Sequence, residues 1–128
     1  MPITGLYAAI FTIFYILLCF NVIRYRAKFK VGIKSNGHLP LDLAIRVQGN
    51  FSEYIPLSLI LMALIEAQRG NINWLHLMGQ ALLFGRILHF WGLGVKGAGA
   101  SPQRFIGTAI TYTALLGASG WLIYLSSV

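Results

Sequence analysis

Four long apolar stretches occupy most of this 128-residue chain and constrain its fold more than any other feature. They are predicted as helices at about residues 3–23, 40–67, 74–95 and 105–127. A helix that crosses a bilayer needs about 20 mostly apolar residues. Hydrophobic residues make up 57% of the chain and charged residues 10%, and a soluble domain of this length could not bury so much apolar surface. The sequence therefore predicts an all-α membrane protein, a four-transmembrane-helix up-down bundle forming one domain over residues 1–128.

The basic residues are distributed unevenly among the connections between these stretches. The first and third connections carry Arg24, Arg26, Lys28, Lys30, Lys34, Lys96 and Arg104, whereas the second carries Arg69. In an up-down bundle the first and third connections lie on the same side of the membrane. The positive-inside rule then predicts a multi-pass protein whose basic loops are cytoplasmic and whose termini are both outside. The first stretch is too long for a signal-peptide core, so we expect it to be retained.

Several common chemistries are not expected. Cys19 is the single cysteine and lies in an apolar run, which favours a buried side chain over a nucleophile. The chain has no ligand set for zinc, so no metal is predicted. A net charge of +7 is not accompanied by the polar, aromatic platform of nucleic-acid binders. The GLGVKG run, residues 92–97, matches the dinucleotide pattern but follows a membrane helix, so we interpret it as a flexible loop.

The second stretch contains charged residues inside a predicted span. Arg46, Asn50 and Glu53 are spaced by four and three, which places them on one helical face. Such residues almost always face a bundle interior or water. One interpretation is an internal ion pair, in which Arg46 reaches Asn50 or another helix more easily than Glu53. The other is a recognition face, with arginine for a carboxylate, asparagine for a peptide group and glutamate for an ammonium.

The other stretches bring polar residues to the same end of the predicted bundle. These residues are Arg24, Arg26, Arg86, His89, Ser101 and Arg104. Each has a structural alternative: the first two are typical topology signals, Arg86 is expected to pair with Glu53, and His89 and Arg104 could be interfacial. Together they predict an electropositive pocket beside the lipid.

An electropositive pocket favours ionisation of a thiol. A free thiol has a pKa of about 8.5, and a nearby guanidinium stabilises the reactive thiolate. Arg104 is the predicted activating residue, with Ser101 as a possible hydroxyl donor. Lipid would deliver an apolar electrophile between the helices, and the site would hold both reactants together.

Two segments resemble a known family. RVQGNFSEYIP, residues 46–56, is similar to the second-span pattern of the membrane-associated proteins in eicosanoid and glutathione metabolism, the MAPEG family. GRILHFWG, residues 85–92, resembles the third-span segment of its small bacterial members. The resemblance implies a homotrimer that binds glutathione between subunits near the cytosolic face, and the likeness to small bacterial members implies a location in a bacterial inner membrane. It assigns glutathione contacts to Arg46, Gln48, Asn50, Glu53, Tyr54, His89 and either Arg24 or Arg26, and thiol activation to Arg104.

Two departures from the family pattern narrow the expected chemistry. Leu93 stands where synthase and transferase members often have tyrosine, and Gly49 stands where the prostaglandin E synthase branch has arginine. We therefore expect a glutathione-dependent transferase or peroxidase acting on an apolar electrophile rather than an eicosanoid synthase. The alternative is a non-catalytic lipid-binding or scaffold protein of the same fold. A small multidrug transporter is disfavoured because the first stretch lacks the acid those proteins use.

Overall fold

The computed structural model describes residues 2–127, and within that range the chain is helical with no strand. The elements are α1 (Pro2–Phe29), α2 (Leu39–Ala67), α3 (Ile72–His89), a short π-helix (Phe90–Val95) and α4 (Pro102–Ser127). Short connections make neighbouring helices antiparallel, so α1 and α3 end where α2 and α4 begin. We call this the basic end of the bundle. The all-α prediction is confirmed.

Three helices in the described range, α1, α2 and α4, are long and apolar enough to cross a membrane. Helix α3 has 18 residues and includes His76, Gln80 and Arg86, which lower its hydropathy. It nevertheless packs closely along α4 and contacts α1 and α2, so it belongs to the bundle. The integral membrane class is thus established, whereas a crossing by all four helices stays a prediction.

The first helix is longer than the apolar pattern indicated. Helix α1 continues past residue 23 to Phe29, which places Arg24 and Arg26 on the helix rather than in a loop. The apolar run measures the hydrocarbon layer, but residues such as Arg, Lys and Ala are good helix formers beyond it. A 28-residue helix is about 42 Å long, so its last turns project beyond a hydrocarbon core of about 30 Å.

The predicted flexible loop at residues 92–97 is wrong for most of its length. Gly92 and Gly94 lie within the π-helix, and Gly97 follows it with a positive φ of 97°. Gly92 is needed for packing, because a Cβ there would lie 2.4 Å from the backbone nitrogen of Arg104. The segment is therefore an ordered contact between the end of α3 and the start of α4. Single-turn π-helices occur often at functional sites.

Aromatic side chains fill the bundle interior where α1 meets α2. Phe51 of α2 lies within 6.1 Å, centroid to centroid, of Phe11, Phe14 and Tyr15 of α1. Phe14 also contacts Phe90, at 6.4 Å, which ties the π-helix to this cluster. The pairs are edge-to-face except for the stacked Tyr15–Phe51 pair, and both arrangements add to the free energy of burial. They fix the side of α2 that faces inward and thereby the side that faces out.

A carboxylate from α2 caps the N-terminus of α1 at the end of the bundle opposite the basic end. Both oxygens of Glu66 accept hydrogen bonds from backbone N–H groups, Oε1 from Ile3 at 3.1 Å and Oε2 from Thr4 at 2.8 Å. Helix N-termini carry unpaired amides and a partial positive charge, so an acid is favourable there. The contact fixes the register of α1 against α2.

Glycines allow α3 and α4 to cross at close range. A Cβ on Gly107 would lie 2.5 Å from the carbonyl oxygen of Gly85 and 2.8 Å from the backbone nitrogen of His89. Both glycines are buried. Small residues permit this kind of backbone contact between membrane helices. The crossing sets how far Arg104, one turn before Gly107, lies from His89.

Candidate functional site

The polar stripe of α2, defined as Arg46, Asn50 and Glu53, faces the outside of the protomer and runs from the half of α2 at the basic end to the middle of the helix. Nη1 of Arg46 lies 3.7 Å from Oε1 of Glu53, and their side chains are 62% and 53% exposed. The expectation that Arg46 would reach Asn50 or another helix more easily than Glu53 was wrong. Two turns of helix are spanned because both side chains are long and lie on one open face. An exposed pair of this kind stays accessible to a ligand.

Asn50 is held by a buried arginine on α3. Nη1 of Arg86 donates to Oδ1 of Asn50 at 2.5 Å, and Nη2 donates to Oγ1 of Thr111 at 2.6 Å. Arg86 is only 2% exposed. The prediction that Glu53 would be its partner was wrong, because Glu53 points outward while Arg86 lies between α2, α3 and α4. Arg86 therefore orients the amide of the stripe instead of neutralising its acid.

Tyr54 links the stripe to α4. Its hydroxyl lies 2.7 Å from the hydroxyl of Tyr112, and its ring lies 5.3 Å from the guanidinium carbon of Arg86. A guanidinium over an aromatic face is attracted to the ring. The half-buried Tyr54 therefore has a fixed ring and a hydroxyl near the outer surface. Thr111 and Tyr112 are members of this cluster that the sequence did not indicate.

Gln48 faces α1 and not the stripe. Its Nε2 donates to the hydroxyl of Tyr15 at 2.8 Å and lies 3.9 Å from Sγ of Cys19. Its position two residues after Arg46 turns it away from the outer face. Gln48 therefore contacts the α1–α2 seam within the protomer, and Cys19 is half-buried there as a free thiol.

The two arginines at the end of α1 have different surroundings. Nη1 of Arg26 donates to the carbonyl oxygens of Val31, Gly32 and Lys34 at 3.3, 3.0 and 3.0 Å. It thus holds the first loop together. Arg24 is exposed and bonds only locally, to Oδ1 of Asn21 at 2.9 Å. Between the two, Arg24 has the guanidinium more available for a ligand.

The remaining predicted site residues lie where α3 meets α4. His89 is 4% exposed, whereas the side chain of Arg104 is exposed. Oγ of Ser101 donates to the carbonyl of Gly92 at 3.1 Å and accepts from the backbone N–H of Arg104 at 3.3 Å. A serine before Pro102 that bonds the third amide of the helix is an N-cap. The observed bonds give Ser101 a structural role and make Arg104 the exposed basic group at the start of α4.

The bundle therefore brings most of the predicted residues to one end but arranges them in layers. An outer layer has the exposed charged groups Arg24, Arg46, Glu53 and Arg104, and an inner layer has the buried or half-buried groups Asn50, Tyr54, Arg86 and His89. Gln48 and Arg26 serve contacts within the protomer. Such an arrangement can bind a zwitterionic, amide-containing ligand at the protomer surface.

An α-helical bundle with bilayer-length helices and a polar stripe at one end defines a multi-pass membrane protein. The chain belongs to the MAPEG family, whose sequence model matches residues 4–124. It is 33% identical over 114 residues to the inner membrane protein YecN of Escherichia coli strain K12. That alignment covers 89% of this chain and 85% of YecN, and YecN of Escherichia coli O6:H1 matches equally. The family match confirms the predicted family. The membrane-length helices and the relative, which is an inner membrane protein, confirm the predicted integral membrane class. No solved structure gave a significant match.

Proposed function

We propose that this protein is a glutathione-dependent membrane transferase or peroxidase that acts on apolar electrophiles from the bilayer. Glutathione would bind along the polar stripe, between subunits of a homotrimer and near the cytosolic face. The observation that carries the proposal is the open Arg46–Glu53 pair on the outside of a spanning helix.

The depth of the stripe makes a lipid-facing position unfavourable. Glu53 is 14 residues into α2, about 21 Å along a helix of about 43 Å, which is close to its middle. Charged side chains at such depth are costly when they face acyl chains. The exposed charges of Arg46 and Glu53 need polar contacts beyond those that a single protomer supplies. A neighbouring subunit and a hydrophilic ligand would supply them together.

The chemistry of the stripe corresponds to that of glutathione. A guanidinium at Arg46 can bind a carboxylate in two-pronged geometry, and the carboxylate of Glu53 can bind the α-ammonium. The amide of Asn50, oriented by Arg86, can bond a peptide group. Tyr54 and His89 would line the inner side, and Arg24 would reach the second carboxylate. The ligand would replace the weak contact between Arg46 and Glu53 by shorter ones.

Arg104 is the proposed activating residue. A guanidinium near sulfur favours the thiolate, and the N-cap formed by Ser101 fixes the turn that carries Arg104. In conjugation the thiol proton passes to solvent, the sulfur forms a bond to carbon, and the leaving group departs with its electron pair. In peroxide reduction two glutathiones become one disulfide while a hydroperoxide becomes an alcohol and water.

An apolar groove gives the electrophile a place beside Arg104. The groove lies between α3 and α4, has a volume of about 800 Å³ and begins at Phe105 and Ile106. Ala109, Thr113 and Gly117 line it as a row of exposed small residues. A second subunit could approach this row closely, since small side chains let membrane helices come together. Four membrane crossings, with both termini outside and the basic loops in the cytoplasm, complete the proposed arrangement.

The alternative is a non-catalytic lipid-binding or scaffold protein with the same fold. The exposed apolar groove favours it, because lipid can occupy such a surface without chemistry. Ultraviolet absorbance of purified protein mixed with glutathione separates the two. A thiolate band supports the enzyme, and binding of the neutral thiol alone supports the alternative. If glutathione does not bind at all, the stripe has another ligand and the proposal fails.

A further inference from the structure

The first loop is an ordered basic surface and not a flexible tether. Arg26 bonds three of its carbonyl oxygens, and the amide of Val31 donates to the carbonyl of Arg26 at 3.1 Å. The latter is the bond that closes a helix C-terminus when the preceding residue is left-handed. Phe29 stacks on His38 with centroids 4.2 Å apart, which joins the end of α1 to the start of α2. The loop therefore presents its side chains in a fixed arrangement.

Lysines occupy two positions in this loop where glycine would fit with less strain. Lys30 and Lys34 both have a φ of 56°. Glycine adopts this left-handed conformation readily, whereas a residue with a side chain does so at a cost. Lysine is nevertheless present at both positions. Here the side chain adds only a long stem and a positive charge.

The charges of this loop are not neutralised inside the protomer. Lys28 in the last turn of α1 and Lys30 and Lys34 in the loop are exposed, and the one ion pair within residues 2–127 is Arg46–Glu53. Asp42, the nearest acid along the chain, lies in the first turn of α2, where its negative charge interacts favourably with the positive end of the helix dipole. Anionic groups from outside the protein are therefore the natural counterions.

The height of the loop corresponds to the lipid headgroups. Helix α1 is about 42 Å long, which matches the thickness of about 40–45 Å of a bilayer that includes both headgroup layers, so the end of α1 lies at headgroup level. At the other end of the bundle, Trp74, Trp121 and Tyr124 form an aromatic cluster with centroid distances of 6.4 and 5.8 Å. Such clusters mark the opposite membrane interface. The lysines then lie near the phosphates and not in bulk water.

An apolar side chain lies between the lysines. Ile33 is 81% exposed, the largest exposed fraction among the large hydrophobic side chains of the described residues. A lone isoleucine beside three lysines suits an interface where phosphates contact the charges and glycerol or acyl carbons contact the methyl groups. A soluble acidic partner would not use this combination.

We propose that Lys28, Lys30, Ile33 and Lys34 form a binding surface for the headgroups of anionic phospholipids. We call it the lysine loop. The surface is separate from the polar stripe and does not depend on glutathione. It would anchor the basic end of the bundle against the membrane and fix its depth there.

Native mass spectrometry of the purified full-length protein, titrated with phosphatidylglycerol or phosphatidylcholine, tests the proposal. A lysine near an anionic surface contributes about fivefold in affinity, so the double variant Lys30→Gln/Lys34→Gln should lose about 25-fold in phosphatidylglycerol affinity. Phosphatidylcholine binding should not change. High salt should weaken the wild-type interaction with phosphatidylglycerol.

Arg69→Gln is the matched control. Arg69 lies in the connection after α2 and has the same left-handed conformation, with a φ of 57°, but it is at the opposite end of the bundle. Its removal should leave phosphatidylglycerol binding intact. The proposal is overturned if the double lysine variant binds phosphatidylglycerol as the wild type does, or if Arg69→Gln loses as much.

A glycine variant separates charge from folding. Lys30→Gly/Lys34→Gly relieves the left-handed strain, so the protein should fold at least as well as the wild type. Its phosphatidylglycerol affinity should fall as far as that of the glutamine variant. If it keeps wild-type affinity, the lysine charges have no part in lipid binding and the proposal is wrong.

Discussion

Nη1 of Arg86 donates to Oδ1 of Asn50 across 2.5 Å, which makes a buried α3 side chain the support of an exposed α2 site. The same guanidinium bonds Thr111 on α4, so one residue joins three helices. Its Nε has no partner among the described residues, and the group is surrounded by protein. Nη2 also donates to the carbonyl oxygen of Gly107 at 3.5 Å, and a buried charge held by these three neutral oxygens is stable only while they stay in place.

Replacing Arg86 should damage both stability and ligand binding. We expect Arg86→Leu to lower the free energy of unfolding by about 2–4 kcal/mol, because Asn50 and Thr111 lose their partner in a buried setting. Thr111→Val removes only one of these bonds and should cost about 1 kcal/mol. Thermal unfolding in detergent measures both. Equal losses in the two variants would show that Arg86 does not carry the network.

Arg46 should dominate glutathione affinity. Removing a charged hydrogen bond costs about 1.5–3 kcal/mol, so Arg46→Ala should weaken binding about 10- to 100-fold in calorimetric titration. Lys34→Ala, a basic residue outside the stripe, should leave the affinity near that of the wild type. If the two variants bind glutathione equally, the stripe is not the site.

Arg104 should affect turnover more than binding. A guanidinium that stabilises the thiolate acts on the reactive form of the ligand, so Arg104→Ala should lower kcat about tenfold or more while Kd for glutathione changes little. Initial rates with an apolar aryl halide measure this. Lys96→Ala removes a charge just after the π-helix, in the connection that precedes α4, and serves as the control. Unchanged turnover in Arg104→Ala would remove this residue from the mechanism.

The α3–α4 crossing should tolerate no side chain at Gly107. In Gly107→Ala the new Cβ would meet the backbone of Gly85 at 2.5 Å, so the helices must separate and the stability should fall by about 1–3 kcal/mol. Gly117→Ala on the same helix meets nothing within 4 Å and should be neutral or slightly stabilising. Thermal unfolding distinguishes the variants. A neutral Gly107→Ala would contradict the close crossing.

Glu66 should control the order at the start of α1. Glu66→Ala removes the acceptor for the amides of Ile3 and Thr4 and should cost about 1 kcal/mol, as the loss of a helix cap does. Hydrogen exchange at these amides should accelerate, while that of residues in the middle of α1 should not. Asp42→Asn, a change of an exposed acid in its own helix, is the control. Unaltered exchange at Thr4 would refute the capping role.

The sequence predicted the helical class and the shared face of Arg46, Asn50 and Glu53, because apolar run length and residue spacing encode them directly. It did not predict the partner of Arg86. That partner depends on how α2 and α4 are rotated about their axes, which the aromatic contacts of Phe51 and the glycine crossing determine. Glu53 was expected to pair with Arg86 because their charges are opposite. The rotation of α2, which turns Glu53 to the outside, cannot be read from charge alone.

Local geometry accounts for the other differences. The glycines at 92 and 94 indicated flexibility, but packing of Gly92 against the backbone of Arg104 makes the segment an ordered π-helix. Ser101 was predicted as a possible hydroxyl donor to a thiol, and a serine before a proline also indicates the helix cap that the structure shows; its role toward a thiol stays a prediction. Whether glutathione binds, and whether Arg104 activates it, stay predictions.

The bond between Glu66 and the first amides of α1 has a consequence for biogenesis. The first backbone amides of α1 receive their hydrogen-bond acceptor from a side chain that is synthesised more than sixty positions later. Helix α1 therefore cannot adopt its final register against α2 until α2 has also been inserted into the bilayer. Insertion should proceed by hairpins, with α1 and α2 leaving the translocation machinery as a unit rather than one after the other.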